Sequence, residues 1–222
     1  MSLKGREIIL GVGGGISAYK SAELLRRLQD IGLLITVVPT AASLNFVGKA
    51  TWEALSGREV SSDLWENTKA VPHISLAKRA NAIIIAPTTA DLLSKLANGN
   101  CDDLLTNLVV ASECPKILVP AMHPEMWSNS ATVSNVSTLR ERRFLIIEPD
   151  EGRMTGADYL KPALSAEFEQ NADQPNLGLR VQAELDLLND DETPDRHGLK
   201  TRQQDDDRTL AAAHVEAGVG DA

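Results

Sequence analysis

Two histidines and a run of glycines are the residues of this chain best suited to chemistry. His123 lies within Pro120-Ala121-Met122-His123-Pro124-Glu125-Met126-Trp127, which follows a short apolar run, residues 117–119, that reads as a buried strand. A loop at the carboxyl end of such a strand is where an open α/β sheet places its ligand. An imidazole in that loop can donate a hydrogen bond to a carboxylate. His73 precedes a short helical stretch at 74–79 and can move protons near neutral pH, although a surface histidine on that helix would look the same in sequence.

The segment Gly11-Val12-Gly13-Gly14-Gly15-Ile16-Ser17 joins an apolar run to an amphipathic one. Glycines there let the backbone approach an anion, and a helix amino terminus offers unpaired N–H groups and the positive end of its dipole. No glycine stands at position 16, so the spacing departs from the dinucleotide fingerprint and favours a mononucleotide phosphate over NAD. A tight strand-to-helix turn that needs no ligand is the alternative. Ser17 and Thr40 are candidate phosphate or ribityl partners, and each could equally be a helix cap.

These residues need a scaffold, and the hydrophobic pattern supplies one. Apolar runs at 7–12, 33–39, 82–86, 116–119 and 144–147 read as strands, with β-branched residues concentrated at 35–38 and 83–85. Amphipathic stretches between them predict helices after Gly15, at 91–97, at 103–111 and at 131–142, with Asn98-Gly99-Asn100 as a break. This alternation predicts an α/β fold, Rossmann-like and specifically flavodoxin-like, with a doubly wound parallel sheet and helices on both faces. The domain is expected to end near residue 158. Residues 159–222 are expected to form a peripheral extension, because charges and amides crowd 189–208 and only 177–188 keeps a helical spacing. Asp205-Asp206-Asp207 reads as a solvated acidic run.

Composition narrows the functions. The chain has 222 residues, a formal charge of −9 and 43% apolar residues, enough for one buried domain. The acidic balance, with no basic stretch, argues against binding nucleic acid through its phosphates. No apolar run approaches membrane-spanning length and residues 1–6 lead into a strand rather than a signal peptide, so no membrane partner and a cytoplasmic location are expected. Cys101 and Cys114 are too few for a disulfide framework and lack zinc-ligand spacing.

Taken together, GVGGGISAYK at 11–20, TWEALSG at 51–57, His73-Ile74, APTTADLLSKLANG at 86–99, Asp102-Asp103-Leu104-Leu105 and PAMHPEMW at 120–127 resemble the homo-oligomeric flavin-containing cysteine decarboxylases. That family includes phosphopantothenoylcysteine decarboxylases of coenzyme A biosynthesis and peptidyl-cysteine decarboxylases of ribosomal-peptide pathways. The resemblance covers about residues 6–158. It implies FMN bound between the subunits of a homotrimer, with trimers assembling further, up to a dodecamer. It places Gly14, Gly15 and Ser17 by the phosphate, Thr40 beside them, and Thr88, Thr89 and Asp91 near the ribityl chain or flavin ring. His73 matches the active-site histidine, and His123, with Met122 and Met126 shaping the pocket, would contact substrate.

Two departures bear on the product. Most family members carry Asn where this chain has His123. The coenzyme A enzymes typically supply a cysteine from a flexible segment after the last strand, whereas Gly152-Arg153-Met154-Thr155-Gly156-Ala157-Asp158 has none and no cysteine follows Cys114. The family chemistry removes two hydrogens from the cysteinyl group, so that the carboxylate lies β to C=S and can leave as carbon dioxide, giving an enethiol. Without a clamp cysteine the enethiol is expected to leave unreduced. The leading expectation is therefore oxidative decarboxylation of the C-terminal cysteine of a ribosomally made precursor peptide, with phosphopantothenoylcysteine as the alternative substrate. The lack of a fused second enzyme domain in this sequence is expected to agree.

Overall fold

A computed structural model of the chain describes residues 4–61, 72–151 and 160–161. Five parallel strands form the central sheet: β1 (Glu7–Val12), β2 (Leu34–Pro39), β3 (Ala82–Thr88), β4 (Lys116–Pro120) and β5 (Leu145–Ile146), in the order β2-β1-β3-β4-β5. This is the flavodoxin-like order, with a topological switch point between β1 and β3. The fold class and all five strands agree with the sequence pattern. β3 is buried along its whole length, as a central parallel strand covered on both faces must be. β5 is shorter than the expected 144–147 because Arg143 takes a left-handed φ of 63° just before it, but the Ile147 amide still donates to the Leu118 carbonyl at 2.9 Å.

Helices occupy both faces. Ile9, Ile83, Ile85 and Leu118 join one core with residues of α3 (Pro72–Arg79), α4 (Ala90–Asn98), α5 (Leu104–Ala111) and α7 (Ser130–Glu141). The alternate residues Ile8, Leu10, Ile84 and Ile117 are equally buried and must point to the opposite face, since strand side chains alternate. α1 (Lys20–Asp30) buries Leu24, Leu25 and Leu28 and packs with α2 (Lys49–Ser56) against β2. Each such leucine contributes about 1.5–3 kcal/mol relative to an exposed one, so the sheet's ends are held by apolar burial rather than by the loops.

Two devices fix the ends of α4 and α5. α4 begins at Thr89, whose hydroxyl accepts the Leu92 amide, and ends at Gly99 in a left-handed conformation (φ 69°) that a residue with a Cβ resists. α5 opens with a reciprocal capping box between Asp103 and Thr106, at 2.7 Å and 3.1 Å. Short strands β6 (Asp150–Glu151) and β7 (Leu160–Lys161) pair antiparallel on either side of the expected boundary at 158. The rest of the expected extension, including 177–188 and Asp205-Asp206-Asp207, lies outside the described residues. Among the described residues no helix is long and apolar enough to cross a membrane, and no cluster of side chains could hold a metal.

Candidate active site

Four of the five strands, β1 to β4, deliver their carboxyl ends to one cavity of about 640 Å³. Gly14 and Gly15 follow β1, and Thr40, Ala41 and Ala42 follow β2. Thr89, Ala90 and Asp91 open α4 after β3. Ala121, Met122 and His123 follow β4, with Met126 in the short helix α6 (Pro124–Trp127). Eight of the residues expected from sequence therefore meet in space: Gly14, Gly15, Thr40, Thr89, Asp91, Met122, His123 and Met126.

The glycines are there for different reasons. A Cβ on Gly13 would sit 2.4 Å from the Pro87 carbonyl oxygen, to which the Gly13 amide donates at 3.0 Å, and a Cβ on Gly14 would sit 2.4 Å from that of Ala42. Both glycines are required by the protein's own packing. A Cβ on Gly15 would find its nearest neighbour at 3.6 Å, an ordinary contact, so nothing in the fold requires glycine there. Ser17, inside the 3-10 turn Ile16–Tyr19, is buried, and its hydroxyl has no hydrogen-bond partner among the described residues. A buried hydroxyl without a partner costs about 1–3 kcal/mol; Ser17 itself does not line the cavity but lies two residues beyond Gly15, which does.

Three expected residues stand differently. Thr88 is fully buried and does not line the cavity; its hydroxyl donates to the Ile85 carbonyl at 2.7 Å and accepts the Val119 amide at 3.3 Å. It bridges β3 and β4 where their register shifts, a duty of the sheet rather than of a ribityl contact. Thr40 lines the cavity, but its hydroxyl donates to Val12 and accepts from the Ser43 amide. His73 falls in the first turn of α3, and its side chain lies outside the described residues.

His123 occupies the N-cap position of α6 with its carbonyl accepting the amides of Met126 and Trp127, both at 3.0 Å. The loop is therefore braced by its backbone, and the imidazole makes no side-chain cap bond. Met122 is buried and Met126 is 45% exposed, which gives the cavity an apolar inner wall and an open lip.

Lys95, Asp102 and Asp103 also line the cavity; Asp102 and Asp103 belong to a stretch that carries the family resemblance, whereas Lys95 had no site role from sequence. The Lys95 ammonium lies 2.9 Å from the Asp102 carboxylate and 3.4 Å from that of Asp91. A hydrogen bond to Asp102 raises the Lys95 pKa above its ordinary value against the opposing effect of partial burial, with Asp91 adding to the rise. The same bond holds the Asp102 carboxyl below its ordinary value. The signal in sequence was the i, i+4 spacing of Asp91 and Lys95 on a predicted helix. The partner across the Asn98-Gly99-Asn100 break became visible only once the Gly99 turn folded Asp102 back along α4.

A parallel sheet in the 2-1-3-4-5 order with a glycine cradle, an unsatisfied serine and, at its carboxyl edge, a largely apolar cavity with a few polar groups defines a mononucleotide-binding α/β protein of the flavodoxin-like class. The model of the Flavoprotein family matches residues 1–168, and the chain belongs to that family. The bifunctional coenzyme A biosynthesis protein CoaBC of Mycobacterium tuberculosis is 48% identical over 153 residues, 69% of this chain and 37% of that protein. CoaBC of Vibrio cholerae is 43% identical over 159 residues, 71% of this chain and 40% of that protein. The chain thus spans well under half the length of these curated relatives. Among solved structures, the FMN-dependent cysteine decarboxylase SpaF superposes with a TM-score of 0.67 at 32% identity, covering 75% of this chain and 94% of that one. A PPC decarboxylase mutant complexed with pantothenoylaminoethenethiol gives 0.69 at 26% identity, covering 82% and 100%.

Proposed function

We propose that the chain is an FMN-dependent cysteine decarboxylase whose substrate is phosphopantothenoylcysteine. The observation that carries the flavin reading is the Ser17 hydroxyl, buried and unpartnered beside a glycine whose missing Cβ the fold itself does not need. An anion at that turn would satisfy the serine and the open amides together. The cavity's volume and its mixture of an apolar wall with a few convergent polar groups suit a mononucleotide bearing a large planar ring.

FMN, when bound, supplies the two-electron oxidation that gives the departing carboxylate an electron sink. The residues of this chain do the rest. Gly14, Gly15 and Ser17 hold the phosphate, with Thr40 beside them, and Thr89 and Asp91 border the ribityl chain or ring. His73 takes the thiol proton, a contribution typically worth ~10²- to 10⁴-fold in rate. His123 grips the carboxylate until carbon dioxide leaves, with Met122 and Met126 excluding water around it.

The sequence alone placed a peptide substrate first. The relatives at 43–48% identity, both named for coenzyme A biosynthesis, support the opposite order. The peptide reading keeps one specific support: residues 152–158 lack the clamp cysteine, and SpaF is 32% identical. The exposed apolar residues Ile16, Tyr19, Phe46 and Met126 support self-association; the family resemblance sets the assembly at a homotrimer, in whose subunit interfaces FMN would lie.

Mass spectrometry separates the substrates. Phosphopantothenoylcysteine should lose about 44 mass units, carbon dioxide alone, the two electrons taken up by bound FMN being returned to the product with a proton from a group other than the clamp cysteine that residues 152–158 lack. Loss of about 46 units from a cysteine-ending peptide would reverse the order again, and turnover of neither would end the decarboxylase reading. His73→Asn should abolish turnover while the protein stays yellow.

A further inference from the structure

We propose that Lys95 is a positioning residue that sets the charge of one cavity wall, and so governs how readily the site accepts an anionic substrate. The inference rests on the function proposed above, in which both FMN and the cysteinyl substrate arrive as anions. Among the described residues the titratable side chains lining the cavity are Asp91, Asp102 and Asp103 with Lys95 on the α4–α5 side, and His123 from the loop after β4. Among the described residues the only cation of that wall is Lys95, and its ammonium lies between two of the three carboxylates, 2.9 Å from Asp102 and 3.4 Å from Asp91. The remaining carboxylate, Asp103, is committed to the Thr106 amide and hydroxyl at 2.7 Å and 2.8 Å as the cap of α5.

The local structure explains why a lysine stands there. Carboxylates at the amino ends of α4 and α5 favour those helices, but they also surround the mouth of a site that must admit a carboxylate. Like charges at such a mouth slow and weaken the binding of an anion. One ammonium between Asp91 and Asp102 offsets the conflict. It also ties the first turn of α4 to the connection that follows Gly99, so charge and geometry are carried by one group.

Because one ion pair joins Lys95 to Asp102, two variants break the same bond while changing the wall's charge in opposite directions. At low ionic strength Lys95→Gln should raise the KM for phosphopantothenoylcysteine about fivefold and Asp102→Asn should lower it about twofold, each with kcat changed less than KM. Both shifts should shrink at about 0.5 M salt, where the Debye length is only a few ångströms. Lys95→Arg should behave as the parent. A role confined to bracing the fold predicts that both variants raise KM together and that salt does not matter; that result overturns the proposal. The dissociation constant of FMN, itself an anion, is read in parallel from flavin fluorescence and should show the same opposed shifts. If the parent enzyme turns over no cysteinyl substrate, the functional reading fails, while the FMN series still decides whether Lys95 sets the charge.

Discussion

At the scale of single residues, the serine and glycines of the first turn carry different loads. Ser17 holds a buried hydroxyl that the folded chain does not satisfy. Ser17→Ala should therefore leave the melting temperature of the FMN-free protein unchanged or raise it, while weakening FMN binding about 10- to 100-fold, as expected for a lost hydrogen bond to a charged group. A fall in apoprotein stability with unchanged FMN affinity would show that the hydroxyl serves the fold. Gly13 and Gly15 offer a second contrast. Gly13→Ala pushes a methyl into the Pro87 carbonyl and should destabilise or unfold the protein, whereas Gly15→Ala meets only ordinary contacts and should fold normally but bind FMN poorly. Thermal melts with and without FMN distinguish the two.

At the scale of elements, the strands and most helices were legible because their patterns are local: period-2 or continuous apolar runs for strands, wider amphipathic spacing for helices. What sequence could not reveal depends on elements meeting. Thr88 was placed near the ribityl chain or flavin ring by the family resemblance; only the register shift between β3 and β4 shows its hydroxyl between Ile85 and Val119. Thr88→Val should leave a buried amide of β4 unpaired and destabilise the protein by about 1–3 kcal/mol, measurable by denaturant titration, before any effect on FMN is considered. Lys95 was overlooked for the same reason, since its second carboxylate lies beyond a chain reversal. Gly14, Gly15 and His123 could be placed beside the cavity from sequence because they directly follow strands, a position that a local pattern reveals.

At the scale of the whole molecule, charge links folding to pH. Asp102 has a pKa lowered by its hydrogen bond to Lys95, so its contribution is complete above the unfolded carboxylate value of about 4 and disappears as pH falls through the lower folded value. Lys95 is raised by the same bond, so its contribution is complete below about 10.4 and disappears as pH climbs through the higher folded value. The melting temperature of Lys95→Gln should accordingly fall below that of the parent by about 1–3 °C, a difference constant between about pH 5 and 10 and closing below about pH 4. A gap that persists in acid would assign the loss to packing of the lysine stem instead.

The hydrogen bond from the Gly13 amide to the Pro87 carbonyl joins the turn after β1 to the carboxyl end of β3 across the switch point of the sheet. Because backbone rather than side chains makes this brace, no rotamer change can release it. A cofactor arriving there meets a finished mould, and its capture rate should follow diffusion and the shedding of water instead of any rearrangement of the turn or the strand end.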